Sequence, residues 1–423
     1  MFENLLAQDE AASLLLSDFS TGSLPPTLLF AGPANSGKLS AALELARGLS
    51  CEAAAPGAWN CACSACERHR ALLHPDLLVL GPKAFSAEIA AAGELLARAP
   101  EQKAARFLFV RAVRKLRARF SPVLYDGEES RLVKAAQLVQ DLDALVDEAE
   151  PRARLDASGA AALSAKVLPL ARKLESLVPD AVPVWQVRAL ERWMRIAPSG
   201  LAKTVVIENA DRMLDGARNA LLKALEEPPP RVRFVLCAER RGAMIATILS
   251  RSRTYRFRPR DPEASRLVLE RVFRAPPPLP DSLDAFLASR APGGSDPLLD
   301  RTRDLVASLL AERASLDPLD PPLAELAARS TSSPDEALDA LREASGDFGK
   351  DEDAASAGLA GFLKAFTTIM RELVRDARTG PGAVALASRW NALVAEARRD
   401  HAVFKLAPPA LVERLVSAAR KTA

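Results

Sequence analysis

The chain has 423 residues, 49% of them hydrophobic and 26% charged, with a formal net charge of +3. That length exceeds one ordinary core and points to two to four domains, while the small charge neither demands nor excludes a nucleic-acid partner. No apolar run reaches the ~20 residues that span a bilayer. The N-terminal stretch lacks a secretory signature, and four of the five cysteines crowd between Cys51 and Cys66 instead of spreading as a disulfide framework, so a cytoplasmic protein is expected.

Thr27–Ala31 reads as a short buried strand ending in Gly32, and residues 40–50 are Ala- and Leu-rich at helical spacing. Between them Gly32-Pro33-Ala34-Asn35-Ser36-Gly37-Lys38 reads as a phosphate-binding loop, because strand, glycine loop and helix is the context that gives the motif its value. Backbone N–H groups of such a loop hold phosphate oxygens, and Lys38 would reach the β- and γ-phosphates. The next residue is Leu39, where the pattern needs a Ser or Thr hydroxyl for Mg²⁺. Ser40 comes one position too late to point the same way.

Cys51, Cys61, Cys63 and Cys66 follow at once, enough thiolates for a tetrahedral structural Zn²⁺. Only Ala62 separates Cys61 from Cys63, a spacer that strains the usual knuckle, so His69 is the nearest alternative ligand. Free thiols in a reducing compartment are the bland reading.

Leu77–Leu80 is a second buried strand, after His74-Pro75-Asp76. Residues 84–182 then change character, with long amphipathic stretches at 107–120, 129–149 and 160–178, and are expected to form an inserted helical hairpin or bundle. Arg106, Arg111, Arg114, Lys115, Arg117 and Arg119 form a basic run at its start. They read either as sequence-blind contacts to DNA phosphates or as a solvated helix face neutralised by the acidic stretch 141–150.

A third strand, Val205–Ile207, runs into Glu208-Asn209, where an active ATPase of this kind carries Asp-Glu. The Asp holds Mg²⁺ and its neighbour orients the attacking water. Glu208 can stand in for the Asp only with a displaced carboxylate. Asn209 cannot act as a base and fits equally as a turn residue. Phe234–Cys237 is a fourth strand, with Cys237 in the core. Continuous apolar runs of this kind imply parallel strands covered on both faces.

After Arg260, breakers at 275–280, 291–294 and 317–322 alternate with helices expected at 263–273, 301–316 and 334–344. From Ala354 the chain is helical again, with Phe362, Phe366, Ile369 and Leu373 on one face. Gly380-Pro381-Gly382 separates that helix from the next.

Asn219-Ala220-Leu221-Leu222-Lys223-Ala224-Leu225-Glu226-Glu227-Pro228-Pro229 resembles a helix of the bacterial clamp-loader ATPases, the gamma/tau and delta-prime subunits of DNA polymerase III. Phe234–Ala238 resembles their sensor-1 strand, and Thr247-Ile248-Leu249-Ser250-Arg251-Ser252 their Ser-Arg-Cys motif, with Ser252 replacing the Cys. Trp185-Gln186-Val187-Arg188 and His74-Pro75-Asp76 also fit. The resemblance covers the first 260 residues apart from the insert, and the remainder in outline.

The resemblance implies an α/β P-loop AAA+ domain over 1–260, a parallel sheet with helices on both faces. That domain would carry a zinc module at about 51–69 and a helical insert at about 84–182. A small helical lid and linker (261–335) and an all-α collar for oligomerisation (336–423) would follow.

Within the family, Leu39 and Asn209 resemble the delta-prime pattern instead of the gamma/tau motor. The implied role is a non-motor subunit of the polymerase (nucleotidyltransferase) holoenzyme. It would assemble with gamma/tau and delta subunits and help load the sliding β clamp onto primed DNA. Arg251 would be an arginine finger acting on ATP bound by the adjacent subunit, with Zn²⁺ as a structural cofactor. Whether ATP or ADP occupies the loop around Lys38 stays open. The competing readings are a gamma/tau-like ATPase with relaxed motifs, an unrelated phosphate-loop kinase or repair ATPase, and, for Arg251 alone, a surface arginine among Arg253, Arg256 and Arg258.

Overall fold

The computed structural model describes residues 1–423 apart from 150–154, 292–296, 316, 345–351, 376–378, 405 and 423. Helix α1 (Asp9–Ser20) precedes strand β1 (Thr27–Ala31), and α2 (Lys38–Leu49), α3 (Ser64–Arg70) and β2 (Leu77–Leu80) follow. A helical stretch comes next: α4 (Ser86–Arg98), α5 (Lys103–Arg117), α6 (Glu129–Glu148), α7 (Ala157–Glu175) and α8 (Val184–Arg195). Then come β3 (Lys203–Ile207), α9 (Asp215–Glu226), β4 (Val232–Ala238), α10 (Ala246–Leu249) and β5 (Arg253–Arg256), with α11 (Pro262–Arg271) and α12 (Leu283–Ala288) after them.

The five strands form one sheet in the order β2-β3-β4-β1-β5. Every pairing is parallel, with Leu29 opposite Leu236 and Val79 opposite Val206. All of β1 and β3 is buried, as a parallel sheet covered on both faces requires. The expected α/β architecture is therefore present, with one addition. Strand β5 was invisible as an apolar run because it is an edge strand, Arg-Thr-Tyr-Arg, of which only Tyr255 is buried. That residue meets Phe30 of β1 edge-on at 5.7 Å and donates a 2.6 Å hydrogen bond to Asp18 of α1, and Arg253 pairs with the same carboxylate.

The segment expected to be an insert is helical throughout its described part, and α4 packs closely on α7. Glu175 at the end of α7 accepts hydrogen bonds from the amides of Phe85 (2.6 Å) and Ser86 (2.8 Å) and from the Ser86 hydroxyl. It supplies across space the cap that α4 lacks locally. Glu175→Ala is expected to cost about 2 kcal/mol, read as a shifted midpoint in urea unfolding, with Glu175→Gln intermediate.

By contacts the chain divides into Met1–Pro292 and Gly293–Ala423, each with its own core. In the first unit α11 and α12 share a small cluster with α4 through Leu269, Phe286 and Ala91. The second unit holds α13 (Pro297–Ala314), α14 (Pro321–Ala327), α15 (Pro334–Ala344), α16 (Glu352–Arg375), α17 (Pro381–Phe404) and α18 (Pro408–Thr422).

The division differs from the lid–collar boundary expected at 335/336. Leu305, Leu323 and Leu341 share one core with Phe362 and Trp390. The breakers at 317–322 make a connection within this unit, where Asp320 accepts a 2.8 Å hydrogen bond from the amide of Ala383 at the start of α17. Most of the breaker at 291–294 lies outside the described residues.

Candidate functional site

The phosphate loop sits between β1 and α2, at the C-terminal edge of the sheet where doubly wound folds place their ligands. Two glycines are required by the backbone. A Cβ at Gly32 would lie 2.3 Å from the carbonyl oxygen of Phe257, and Gly37 has φ +98°. Lys38 is folded onto its own loop, its Nζ donating to the carbonyl of Gly32 at 2.6 Å and to that of Pro33. Burial holds its ammonium below the ordinary lysine range. Ser36 donates from its hydroxyl to the carbonyl of Pro33, so it too serves the loop. Arg260 braces the loop from outside, donating to the carbonyls of Asn35 (3.1 Å) and Leu6 (2.8 Å). Asn35 in turn donates to Asp284 of α12 at 2.6 Å, joining the loop to the small helices that follow the sheet. Leu39 points into the core, 5% exposed.

The loop opens into a cavity of about 1570 Å³ that is also lined by Lys83, Glu208, Asn209 and Lys115. Glu208 ends β3 as expected, yet its carboxylate is already paired: Lys83 lies 3.2 Å from Oε1, and Arg119 pairs with Oε2. Asn209 has φ +50°, a left-handed conformation that Asn tolerates, and its side chain donates to the carbonyl of Pro82. It behaves as a turn residue. With Leu39 in the core and Glu208 neutralised by the chain's own cations, these residues do not fit a Mg²⁺–nucleotide. Cys237 is buried in β4, its thiol pushed up to about 12 by burial and then by Glu208.

The four cysteines converge. The Sγ atoms of Cys51, Cys61, Cys63 and Cys66 all lie within 4.8 Å of one another, and those of Cys51 and Cys61 are 3.7 Å apart. Four sulfurs at ~2.3 Å from a tetrahedral ion sit about 3.8 Å from each other, so the set fits a metal such as zinc. The one-residue spacer is absorbed because Cys63 is the N-cap of α3, its sulfur accepting from the amide of Cys66. Burial works against the Cys63 thiolate, but the amides of Glu52 and Cys66 outweigh it and bring its pKa down to about 6.

Beneath the sulfurs lies Arg47 of α2, which no sequence motif singles out. It donates to Cys66 Sγ at 3.1 Å, to the carbonyls of Ala58 and Gly57, and twice to Glu44. Such outer partners fix ligand orientation.

His69 is not part of this cluster. Its ring stacks on His74 at 4.1 Å, and neither ring nitrogen of His69 finds a hydrogen-bond partner among the described residues. Burial first, then the neighbouring His74 and Arg111, push its pKa down to about 3. A folded-state pKa below the unfolded ~6.5 means the unfolded chain takes up the proton that the folded one refuses. Stability is therefore full above pH 6.5 and is lost as pH falls from there toward 3. At pH 5 this one residue costs about 2 kcal/mol. Denaturant titrations at pH 7 and 5 should show that loss, and His69→Gln should shrink it.

The basic run at the start of the helical stretch is only partly a solvated face, and Asp143 of the acidic stretch neutralises one member of it, Arg117. Arg106 and Arg119 are buried. Arg111 donates to the carbonyl of Arg70 at 2.6 Å, Lys115 pairs with Glu88, and Arg117 pairs with Asp143 at 3.2 Å.

Arg251 occupies the turn between α10 and β5, outside the residues lining the phosphate-loop cavity. Its guanidinium pairs with Glu226 of α9 at 3.1 Å and donates to the carbonyl of Thr247, with about a third of the side chain exposed. Arg253 and Arg258 are instead tied to α1 through Asp18 and Glu10. Among the described residues no helix is long and apolar enough to cross a membrane.

The family model described as "DNA polymerase III, delta subunit" matches residues 7–128 and 159–261, more than half of the chain. It passes through most of the expected insert and skips only α6 and the connection after it. The chain is similar to "DNA polymerase III subunit delta'" of Bacillus subtilis, 35% identical over 94 residues, which cover 22% of this chain and 29% of that one. The subunit of the same name from Haemophilus influenzae is 43% identical over 53 residues, 12% of this chain and 16% of its own. The matched segments thus span less than a third of these curated relatives. A crystal structure of a DNA polymerase III gamma subunit-related protein from Thermotoga maritima aligns with TM-score 0.41 at 14% identity, covering 98% of this chain and 99% of that one, a likeness too loose to argue from. On the family match, the chain belongs to the DNA polymerase III delta-subunit family.

Proposed function

We propose that this chain is a delta-prime-type, non-motor subunit of a cytoplasmic DNA polymerase III clamp loader. It assembles with gamma/tau and delta subunits, helps load the sliding β clamp onto primed DNA, and offers Arg251 to the nucleotide of the adjacent ATPase subunit. A guanidinium supplied across an interface stabilises charge on a transferring phosphoryl group. The observation that carries the reading is the separation of functions within one domain. The chain's own carboxylate at Glu208 is occupied by Lys83 and Arg119, whereas Arg251 is presented away from that cavity in a partly exposed ion pair. Cys51, Cys61, Cys63 and Cys66 hold a structural Zn²⁺ that fixes the segment after α2.

Mixing the purified chain with gamma/tau-type and delta-type subunits tests this directly. One co-eluting complex is expected, with a clamp- and DNA-stimulated ATPase above that of the partners alone, while the isolated chain is silent. Turnover by the isolated chain, or failure to co-elute, contradicts the proposal and favours a gamma/tau-like enzyme.

A further inference from the structure

Glu208 and Arg119 both lie inside the protein, with 7% and 2% of their side chains exposed. An unpaired carboxylate at that depth is costly, so a buried glutamate has a partner, a proton or a metal. At Glu208 the partners are covalently part of the chain. Lys83 follows β2 by three residues, and Arg119 lies just past α5; neither was singled out by the phosphate-loop pattern.

Arg119 is held in place independently of its carboxylate, since its guanidinium lies over the ring of Phe85 at 5.0 Å. The ammonium of Lys83 lies 5.5 Å from the centroid of the same ring. Two positive charges are thereby fixed on one carboxylate, the charge a divalent cation would bring. The other protein ligand such an ion needs is missing, because Leu39 carries no hydroxyl.

We infer that Lys83 and Arg119 are a resident replacement for the divalent cation, so that this domain takes no metal at Glu208, whether or not the phosphate loop is filled. This goes beyond the function proposed above and does not rest on it, since it concerns the chain's own site and holds without a neighbour. It also gives the helical segment between β2 and β3 a task, which is to carry Arg119 back to the end of β3, where the β2–β3 pairing already places Lys83. The basic run turned inward belongs to that task in part.

Mn²⁺ is the probe, titrated onto the zinc-loaded full chain and followed by electron paramagnetic resonance of the free ion, with and without ADP. The expected result is no Glu208-dependent binding up to millimolar Mn²⁺. Thermal melts supply the second arm. Glu208→Gln leaves two cations without their counter-charge and should lower Tm by roughly 5 °C or more. Arg119→Met combined with Glu208→Gln should recover a large part of that loss, because the more deeply buried of the two cations is removed and Lys83 is partly exposed. Mn²⁺ binding by the wild type that Glu208→Gln abolishes would overturn the inference. So would a Glu208→Gln protein melting with the wild type, or a double variant melting below Glu208→Gln. Should the variants fail to fold, a wild type that binds no Mn²⁺ with or without ADP supports the inference, and one that binds the ion overturns it.

Discussion

Cys66→Ser is expected to empty the four-cysteine site and unfold the segment around it, a larger stability loss than that of Glu208→Gln or Glu175→Ala. Cys66 is fully buried, and its sulfur accepts from the buried guanidinium of Arg47, so serine leaves both an incomplete ligand set and a less favourable partner for that charge. Structural zinc contributes about 10–16 kcal/mol in small finger peptides. The sheet core of this larger unit survives without it, so the expected result is local unfolding with a Tm lowered by roughly 10 °C. Metal analysis should fall from one zinc per chain to almost none. Trp59 reports the change locally, because its ring lies against Arg47, Arg70 and Phe107. A wild type that carries no zinc, or that melts unchanged in a strong chelator, would remove the metal from the account.

Arg251→Ala is expected to silence the ATP site that this chain faces in the assembled loader. Fingers of this type are worth about 10³-fold or more in the rate of the step they serve. In a complex with several ATP sites, the pre-steady-state phosphate burst should lose the share of one site while the others continue. Arg251→Lys should recover little, since an ammonium cannot reproduce the planar fork. The fold should be unaffected, because the exposed pair with Glu226 contributes under about 1 kcal/mol and the remaining contacts are local and exposed, to the Thr247 carbonyl and the Ser250 hydroxyl. Clamp-loading assays with unchanged complex assembly check this. An unchanged burst would assign Arg251 to the surface, alongside Arg253 and Arg258.

Sequence patterns made the central strands legible because parallel strands buried on both faces appear as uninterrupted apolar runs, as at Thr27–Ala31 and Phe234–Cys237. The same logic hid β5, whose single buried residue leaves no run to see. The ligand cluster was legible from cysteine identity alone, but not its geometry. Cys63 begins a helix, and that turn brings its sulfur back to the others despite the short spacer.

The departures from the motif pattern at Leu39, after the loop, and at Asn209, after β3, are visible in the sequence. What repairs the electrostatics is not. Lys83 and Arg119 are far from Glu208 in sequence; the β2–β3 pairing, with Leu80 opposite Ile207, brings in Lys83, and the return of the helical stretch to the sheet edge brings in Arg119. Counted along the chain, Arg119 was one of six cations on an apparently solvated face. Its burial depends on a tertiary contact that helical periodicity cannot register. One core runs across the expected lid–collar boundary for a related reason, since breakers mark loops within a helical unit as readily as linkers between units.

The most direct test of a subunit that works in trans compares two substitutions in one reconstituted loader. Lys38→Met damages only the chain's own phosphate loop, and Arg251→Ala damages only what it offers its neighbour. The account predicts near-wild-type clamp- and DNA-stimulated ATPase for the folded Lys38→Met complex and loss of one site's turnover for Arg251→Ala. The reverse pattern, a Lys38→Met complex that stalls beside an Arg251→Ala complex that runs normally, would contradict it.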